Sequence, residues 1–316
     1  MRIFSLVLTF LLSVSVFSQQ KFSKEFSFTN DNDLYASISR DQYYSNGLFF
    51  QYRYLASDFK KFSKKIYELE LGHEIYSPWK STVSSVLEHD RPFAAHLYGK
   101  FGILRVYEDQ RMLKTSVQLG VVGEDALGQE LQDVIHDIYN FVNAVGWEFQ
   151  IRNMLSLNIN ALYVDALGTD ESNHYDMNFI AKARLGTTFN ELTGGFKGRI
   201  GVKRELQPLD NSIAFGTHLN DEKTAHTRGI ESFFYYETTL SLVAYDATVQ
   251  GSLFNDNSPL TFDINPLRFD LEIGYRFTSN RWNFGYAYHY HSNKLPNLRR
   301  NGGHYYGQVF LGYLFD

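Results

Sequence analysis

The sequence predicts an all-β fold, a twelve-stranded antiparallel transmembrane β-barrel with one short helix in an outer loop. Apolar and polar residues alternate with a period of two along most of the 316 residues, as in strands that face lipid on one side and a polar lumen on the other. A soluble β-sandwich also alternates. Aromatic residues make up 16% of the chain, and this aromatic weight favours the membrane barrel, whose interfaces carry aromatic girdles.

The first eighteen residues are predicted to be a secretory signal. Arg2 supplies a positive start, residues 4–17 form a short apolar core, and Ser18 ends a segment suited to cleavage. No stretch reaches about eighteen apolar residues, so no transmembrane helix is expected. Residues 19–316 are then expected to form a single barrel domain in the outer membrane of a Gram-negative bacterium.

Composition excludes several classes of function. The chain has no cysteine, which rules out disulfides and thiolate metal sites. Its net charge of −5 argues against a nucleic-acid partner.

The clearest strands lie near the C-terminal end, where Leu267–Phe277 and Trp282–His291 alternate without interruption. Similar patterns extend back to residue 25, and their number is even, as in bacterial barrels. The twelve predicted strands are 25–33, 45–56, 65–76, 93–107, 112–123, 147–165, 175–189, 194–204, 229–245, 265–277, 281–292 and 303–315.

If both chain ends lie on the periplasmic side, parity assigns every connection to one side of the membrane. The outer loops are then predicted at 34–44, 77–92, 124–146, 190–193, 246–264 and 293–302. The long polar run 205–228 falls on the inner side, where turns are usually short. Either a strand between 165 and 230 is miscounted, or this barrel has one long inner loop.

Residues 127–142 depart from the strand pattern. Leu127, Leu131, Ile135 and Ile138 recur at three- and four-residue spacing, which predicts one stripe of an amphipathic helix. Gln132 and His136 stand four residues apart on another face. We expect the apolar stripe to pack on the barrel wall.

Parity brings three segments to one end of the barrel: Asp31–Asp33, Tyr43–Gly47 and the helix with Gln132 and His136. An acid, an amide, a hydroxyl and an imidazole suffice for metal-assisted ester hydrolysis. Each segment alone has a simpler interpretation, as turn residues or as a solvated helix face.

Two other groups of residues stand out. His289 and His291 lie on the lumen face of a predicted strand and fit a polar interior better than a metal site. Arg299 and Arg300 in the last outer loop suit either phosphate or solvent.

Three ordered motifs resemble the lipid A 3'-O-deacylase family, the LpxR-type outer-membrane barrels. The first is Asn32-Asp33-Leu34-Tyr35 followed by Asp41-Gln42-Tyr43-Tyr44-Ser45-Asn46-Gly47-Leu48, and the second is Arg91–Gly99. The third runs from Leu119 to Gly128 and continues with Gln132, His136, Gly146-Trp147 and Gln150.

The resemblance implies a calcium-dependent hydrolase that removes the 3'-linked acyloxyacyl group from lipid A. It implies that His136 is the general base, that Asp33 serves the Ca²⁺ site, and that Asn32, Ser45 and Gln132 complete the active site. The implied partners are lipopolysaccharide as the substrate and outer-membrane lipid, and we expect a monomer. Ser45 stands where many members have Thr, and Ala95-His96 where Gly-Trp is common.

Two alternatives remain open at this stage. Outer-membrane phospholipase A has a serine activated by a histidine two residues earlier, but Tyr43 stands at that position before Ser45, and a serine without a base is a poor nucleophile. The other alternative is a non-enzymatic pore or structural barrel.

Overall fold

The computed structural model describes residues 20–36, 42–58 and 61–316, so the predicted signal segment lies outside the described residues and stays a prediction. Twelve antiparallel strands close into a barrel in which β1 pairs with β12, which confirms the predicted fold class. The strands are β1 (Lys24–Asn32), β2 (Tyr43–Leu55), β3 (Lys64–Ser77), β4 (Ala94–Val106), β5 (Arg111–Val122), β6 (Met154–Thr169), β7 (Tyr175–Gly186), β8 (Phe189–Gly201), β9 (Ser232–Asp246), β10 (Leu267–Ser279), β11 (Trp282–His291) and β12 (His304–Phe315).

The alternation of side chains separates a lipid face from a lumen face. Phe26, Phe50 and Leu69 are exposed on the outer wall. Glu25 and Arg53 have the opposite parity on β1 and β2, and they are buried in the lumen as an ion pair. Polar and charged groups therefore fill the interior, as the sequence pattern predicts.

Two helices interrupt the outer loops: α1 (Gly128–Tyr139) and the one-turn α2 (Ala247–Gln250). The first confirms the helix predicted within 127–142. Within the described parts of the chain, neither helix nor any 3₁₀ turn is long and apolar enough to cross a bilayer.

Of the two alternatives for residues 165–230, the structure shows the long inner loop: no strand was miscounted, and the connection between β8 and β9 is long. Residues 202–231, which we call the plug, fold back into the inner opening. Asn220 donates its N–H to the Phe22 carbonyl at 2.8 Å, and the Lys64 ammonium donates to the Thr217 carbonyl at 2.9 Å. The plug is thus hydrogen-bonded to the barrel at two places, the segment before β1 and the start of β3.

An apolar cluster completes this closure. Leu209 and Leu219 of the plug are buried against Ile66, Leu104 and Met112. Without the plug, these apolar strand residues would line an open channel at the inner end of the barrel. The plug instead supplies them with an apolar partner, which favours a closed state of the inner opening.

Two predicted boundaries are wrong. Residues 147–153 are not strand, because Trp147–Phe149 form a 3₁₀ turn and β6 begins at Met154. The predicted outer loop 190–193 lies inside β8, and residues 187–188 make the turn. Thr188 lies in this turn and is buried, and its hydroxyl donates to Ser156 Oγ at 2.7 Å.

We predict that the barrel does not conduct ions steadily in planar bilayers, because the plug closes the inner end. A variant in which a short Gly-Ser turn replaces residues 203–230 should conduct through the lumen, whose cavity measures about 590 Å³. The same replacement of outer residues 252–262 is the control and should stay closed. Steady conductance by the unmodified chain would contradict the closure.

We also predict that acidification lowers the free energy of unfolding through His218, a residue of the plug. Burial lowers the pKa of His218 to about 4, the Glu25 carboxylate at 3.2 Å opposes this, and the Arg53 and Arg228 cations lower the pKa further. Unfolded histidine titrates near about 6.5. The unfolded chain therefore binds more protons in this window, and the free energy of unfolding falls as the pH drops from about 6.5 to 4.

The measurement is the urea midpoint in detergent micelles at pH 7 and pH 5. His218→Gln should flatten the difference between the two midpoints. An equal pH dependence in both proteins would mean that another group carries it.

Candidate active site

Side chains at the outer ends of β1 and β2 hold the first motif in place. Asn32 caps the 3₁₀ turn that follows it, with Oδ1 accepting the Leu34 N–H at 2.8 Å. Asp33 is buried, and its Oδ2 accepts the Gln42 N–H at 2.7 Å. These bonds keep the carboxylate and the amide beside the start of β2.

A β-bulge at the start of β2 positions Ser45. The pairing register with β3 shifts between Tyr44 and Asn46, so Ser45 is the extra residue. Its Oγ is hydrogen-bonded to the Ser77 Oγ, and Ser77 has the same parity on β3 as the lipid-exposed Leu71. The bulge therefore brings the Ser45 hydroxyl to the outside of the wall, since bulges redirect side chains.

The second motif clamps this segment. Tyr43 has a φ of +63°, a left-handed conformation that is uncommon for a bulky residue. Arg91 is buried and donates to the Tyr43 carbonyl at 3.0 Å and to the Thr248 carbonyl at 3.2 Å. The Tyr43 hydroxyl donates to Asp90 Oδ2 at 2.8 Å. Asp90 and Arg91 are thus positioning residues that hold the strained backbone next to the bulge.

Close packing brings α1 against the barrel wall. A Cβ on Gly128 would lie 2.3 Å from the Ala95 Cβ and 2.6 Å from the Trp147 ring. Only glycine permits this approach, and a small residue is needed at position 95 as well. Ala95 is therefore the contact between β4 and the helix, while His96 turns into the lumen and binds Glu74 at 3.1 Å.

Two hydrogen bonds orient Gln132 and His136, the candidate site residues of α1. The Trp147 indole N–H donates to Gln132 Oε1 at 2.9 Å. His136 Nδ1 lies 2.7 Å from the Val142 carbonyl oxygen. A carbonyl can only accept, so Nδ1 carries the proton and Nε2 is the basic nitrogen of the neutral ring.

The segment that carries α1 covers the outside of the barrel rather than its mouth. Ala126 and Trp147 are buried against Ile75, Phe93 and Ala95 in one apolar cluster. Ile75 and Ala95 belong to the face of β3 and β4 that points away from the lumen. The helix therefore forms a roof over the outer wall, at the outer ends of the strands.

The three predicted segments meet beneath this roof in a single pocket. Its lining includes all five residues that the sequence proposed for the site, together with apolar and amide side chains. The lining residues are Asn32, Asp33, Leu34, Ser45, Asn46, Ile75, Gln132, Ile135, His136 and Phe141. The expected convergence is present, but it lies between the helix and the wall, not in the lumen.

The orientation of the helix differs from the prediction. Gln132 and His136 are only 3% and 4% exposed, whereas Leu127 and Ile138 are 53% and 70% exposed. Of the predicted stripe, Leu131 packs against the wall cluster and Ile135 lines the pocket, so the stripe is divided between the wall and the outside. The helix thus turns its polar side inward, because the wall it faces carries polar groups at this level.

Several pocket groups are arranged to receive a ligand. Gln132 Nε2 and Asn46 Oδ1 are buried and have no hydrogen-bond partner in the part of the chain that the structure describes. Buried polar groups are normally paired, so this donor and this acceptor are suited to a bound molecule or ion. Asn46 belongs to the second half of the first motif, and sequence reasoning did not assign it a role.

The oxygen donors in the pocket fit a hard divalent cation in chemical type. They are the Asp33 carboxylate and the Asn46 amide oxygen, and Ca²⁺ prefers such ligands. Across residues 20–36, 42–58 and 61–316, no cluster of three or more His, Asp or Glu has the arrangement of a metal site. A cation here would therefore need amide, backbone and water oxygens in addition to Asp33.

The remaining candidates lie elsewhere. His289 and His291 line a lumen pocket with Glu272 and Arg268, as expected for a polar interior. Arg299 donates to the Leu87 carbonyl at 3.3 Å, so it contacts protein at the loop surface. Neither group reaches the pocket under α1.

Comparison with known proteins gives a consistent result. The family model described as outer membrane protein LpxR matches residues 4–315. Among solved structures, LpxR from Salmonella typhimurium superimposes with a TM-score of 0.72 at 19% identity, covering 92% of this chain and 100% of that one. At this identity the likeness shows the fold.

Autotransporter barrels are less similar. The translocator domain of NalP from Neisseria meningitidis has a TM-score of 0.42 at 11% identity, covering 99% and 95% of the two chains. The β domain of the Bordetella autotransporter BrkA has a TM-score of 0.47 at 11% identity, covering 94% and 99%. No curated protein sequence matches.

Proposed function

Because the chain belongs to the LpxR family of outer membrane proteins, we propose that it is an outer-membrane lipid A deacylase that hydrolyses the 3'-linked acyloxyacyl ester. The observation that carries this proposal is the pocket under α1, where Asn32, Asp33, Ser45, Gln132 and His136 come together on the outside of the wall. Lipid A in lipopolysaccharide is the substrate and outer-membrane lipid is the surrounding solvent.

The position of the pocket suits an ester in the outer leaflet. A site in the lumen would require a lipid to leave the bilayer, which is costly for its acyl chains. A site on the outer wall lets the acyl chains stay in the membrane while the ester enters the pocket. Water can reach the same place from the outer surface, because α1 lies at the outer ends of the strands.

His136 is the proposed general base. The Val142 carbonyl fixes the protonated Nδ1 at 2.7 Å, so Nε2 accepts the proton of the attacking water. The water oxygen forms a bond to the ester carbonyl carbon. The imidazolium then returns the proton to the alkoxide leaving group as the tetrahedral intermediate breaks down, which frees the fatty acid.

The other pocket groups position the ester and its developing charge. Gln132 is held by Trp147 through its oxygen, which leaves the unpaired Nε2 to donate to the carbonyl oxygen of the substrate. Ser45 is fixed by Ser77 and supplies a hydroxyl at the pocket edge. Asn32 holds the turn that carries Asp33.

Asp33 and Asn46 are the proposed protein ligands of a Ca²⁺ ion. When bound, such an ion polarises the ester carbonyl and stabilises negative charge on its oxygen. The buried carboxylate gives the pocket a negative site for the cation, and the unpaired Asn46 Oδ1 gives it a neutral oxygen.

We predict that His136→Ala lowers the rate of lipid A deacylation about 10²- to 10⁴-fold, because general-base catalysis contributes on this scale. Mass spectrometry of lipid A after incubation with the protein measures the loss of the acyloxyacyl group. His289→Ala, a lumen histidine, is the matched control and should keep normal activity.

Activity within a few-fold of normal in a folded His136→Ala protein would contradict the base assignment. A serine-directed probe that labels Ser45 would instead support the phospholipase-type mechanism. The water mechanism expects no label on Ser45.

We predict that deacylation stops when a chelator removes divalent cations and returns on addition of Ca²⁺. Asp33→Asn should raise the Ca²⁺ concentration for half-maximal activity by about tenfold or more, because affinity depends on the charge of the ligands. Asp31→Asn is the matched control: Asp31 is two residues earlier but faces the lumen, where it accepts from Gln308 at 2.8 Å. Unchanged turnover in excess chelator would remove the calcium role.

A further inference from the structure

Helix α1 has three faces instead of two. Successive helical residues are about 100° apart, so Leu127, Val134 and Ile138 fall on one stripe. Gly128, Gln132 and His136 form a second face about a third of a turn away, and this face is buried against the wall. The third face, toward the other side, carries the polar residues Gln129, Glu130, Asp133 and Asp137.

Among residues 20–36, 42–58 and 61–316, no segment covers the apolar stripe. Leu127, Val134 and Ile138 are 53%, 54% and 70% exposed, and Val142, just after the helix, is 75% exposed. A soluble helix turns such a stripe inward. Here the inward position is taken by the polar face, so the stripe needs an apolar environment outside the protein.

The surface next to the stripe identifies that environment. The helix lies over β3 and β4, whose outward residues include the exposed Leu71 and Phe101, and Leu119 is exposed on the neighbouring β5. These residues belong to the lipid-facing band of the barrel. The stripe is therefore continuous with a surface already in contact with acyl chains.

The third face argues for the opposite environment. Glu130 and Asp137 are exposed, and carboxylates on an isolated helix face are costly in hydrocarbon. An amphipathic helix with these two faces lies in a membrane interface, with its apolar side in the acyl layer and its charged side in water.

We propose that α1 is an interfacial helix whose stripe Leu127, Val134, Ile138 and the adjoining Val142 is embedded in the acyl chains of the outer leaflet. The bilayer thus covers the one side of the roof that protein does not. Because the buried face of the same helix carries Gln132 and His136, contact with lipid holds both side chains over the pocket. The inference rests on the outer-membrane location and does not require the proposed hydrolysis.

The chain has no cysteine, so a single introduced cysteine gives a single spin label, and no native cysteine has to be removed first. Ile138→Cys reports on the stripe, and Asp137→Cys, one residue earlier on the charged face, is its matched control. Leu119→Cys on β5 gives the reference for lipid contact. The full-length protein is reconstituted in phosphatidylcholine vesicles, and collision of each label with oxygen and with a water-soluble nickel chelate is measured by electron paramagnetic resonance.

The expected result is that the label at 138 behaves like the label at 119, with high access to oxygen and low access to nickel, while the label at 137 shows the reverse. High nickel access at 138 would mean that the stripe faces water. Low access to both reagents would mean that protein, such as a second copy of the chain, covers it. Either outcome overturns the proposal, and neither depends on whether lipid A is hydrolysed.

Discussion

The structure depends on one constraint: each strand of a membrane barrel has a lumen face and a lipid face, and polar groups on the lipid face must be satisfied. Asn30, Asn32, His73 and Ser77 have lipid-face parity at the outer ends of their strands, and the β-bulge brings Ser45 to the same side of the wall. An unpaired polar group in an apolar medium costs about 2–7 kcal/mol. Two of these groups bond to the loops that cover them: Asn30 accepts from the Tyr35 hydroxyl at 2.6 Å, and His73 bonds the Ala126 carbonyl at 2.6 Å.

The roof over the wall follows from this need. Segment 124–147 brings Trp147 and Ala126 to an apolar patch of the wall, and it brings Gln132 and His136 to the polar patch beside it. The helix face with Gln132 and His136 therefore faces protein, and its apolar stripe is left for the membrane. The proposed general base, placed this way, is shielded from bulk water yet remains open to a lipid that stays in its own leaflet.

Alternation was sufficient to predict the barrel, its strand number and the outer position of the helix, because period two is a local property of each strand. It could not predict that the pocket lies outside the wall, since the bulge at Ser45 shifts parity by one residue and no composition signal marks it. The predicted orientation of the helix stripe was wrong for a related reason. A stripe such as Leu127 and Ile138 is ordinarily assumed to face protein, but a helix at a membrane interface has lipid as a third environment. The plug was visible only as a long polar run, because its few apolar anchors, Leu209 and Leu219, are widely spaced.

The lumen and the outer wall have separate tasks in this barrel. Inside, charges are paired across strands, as in Glu68 with Lys114 and Arg199 with Asp176, and the plug closes the inner end. Breaking such a buried pair commonly costs about 3–5 kcal/mol, so the interior resists change and keeps the strand ends in register. The outer rim can then carry strained and unpaired groups, such as Tyr43 in its left-handed conformation and the Gln132 Nε2, which has no partner among the described residues. A closed interior held together by paired charges thus allows the polar groups of the pocket to lie on the outside of the wall.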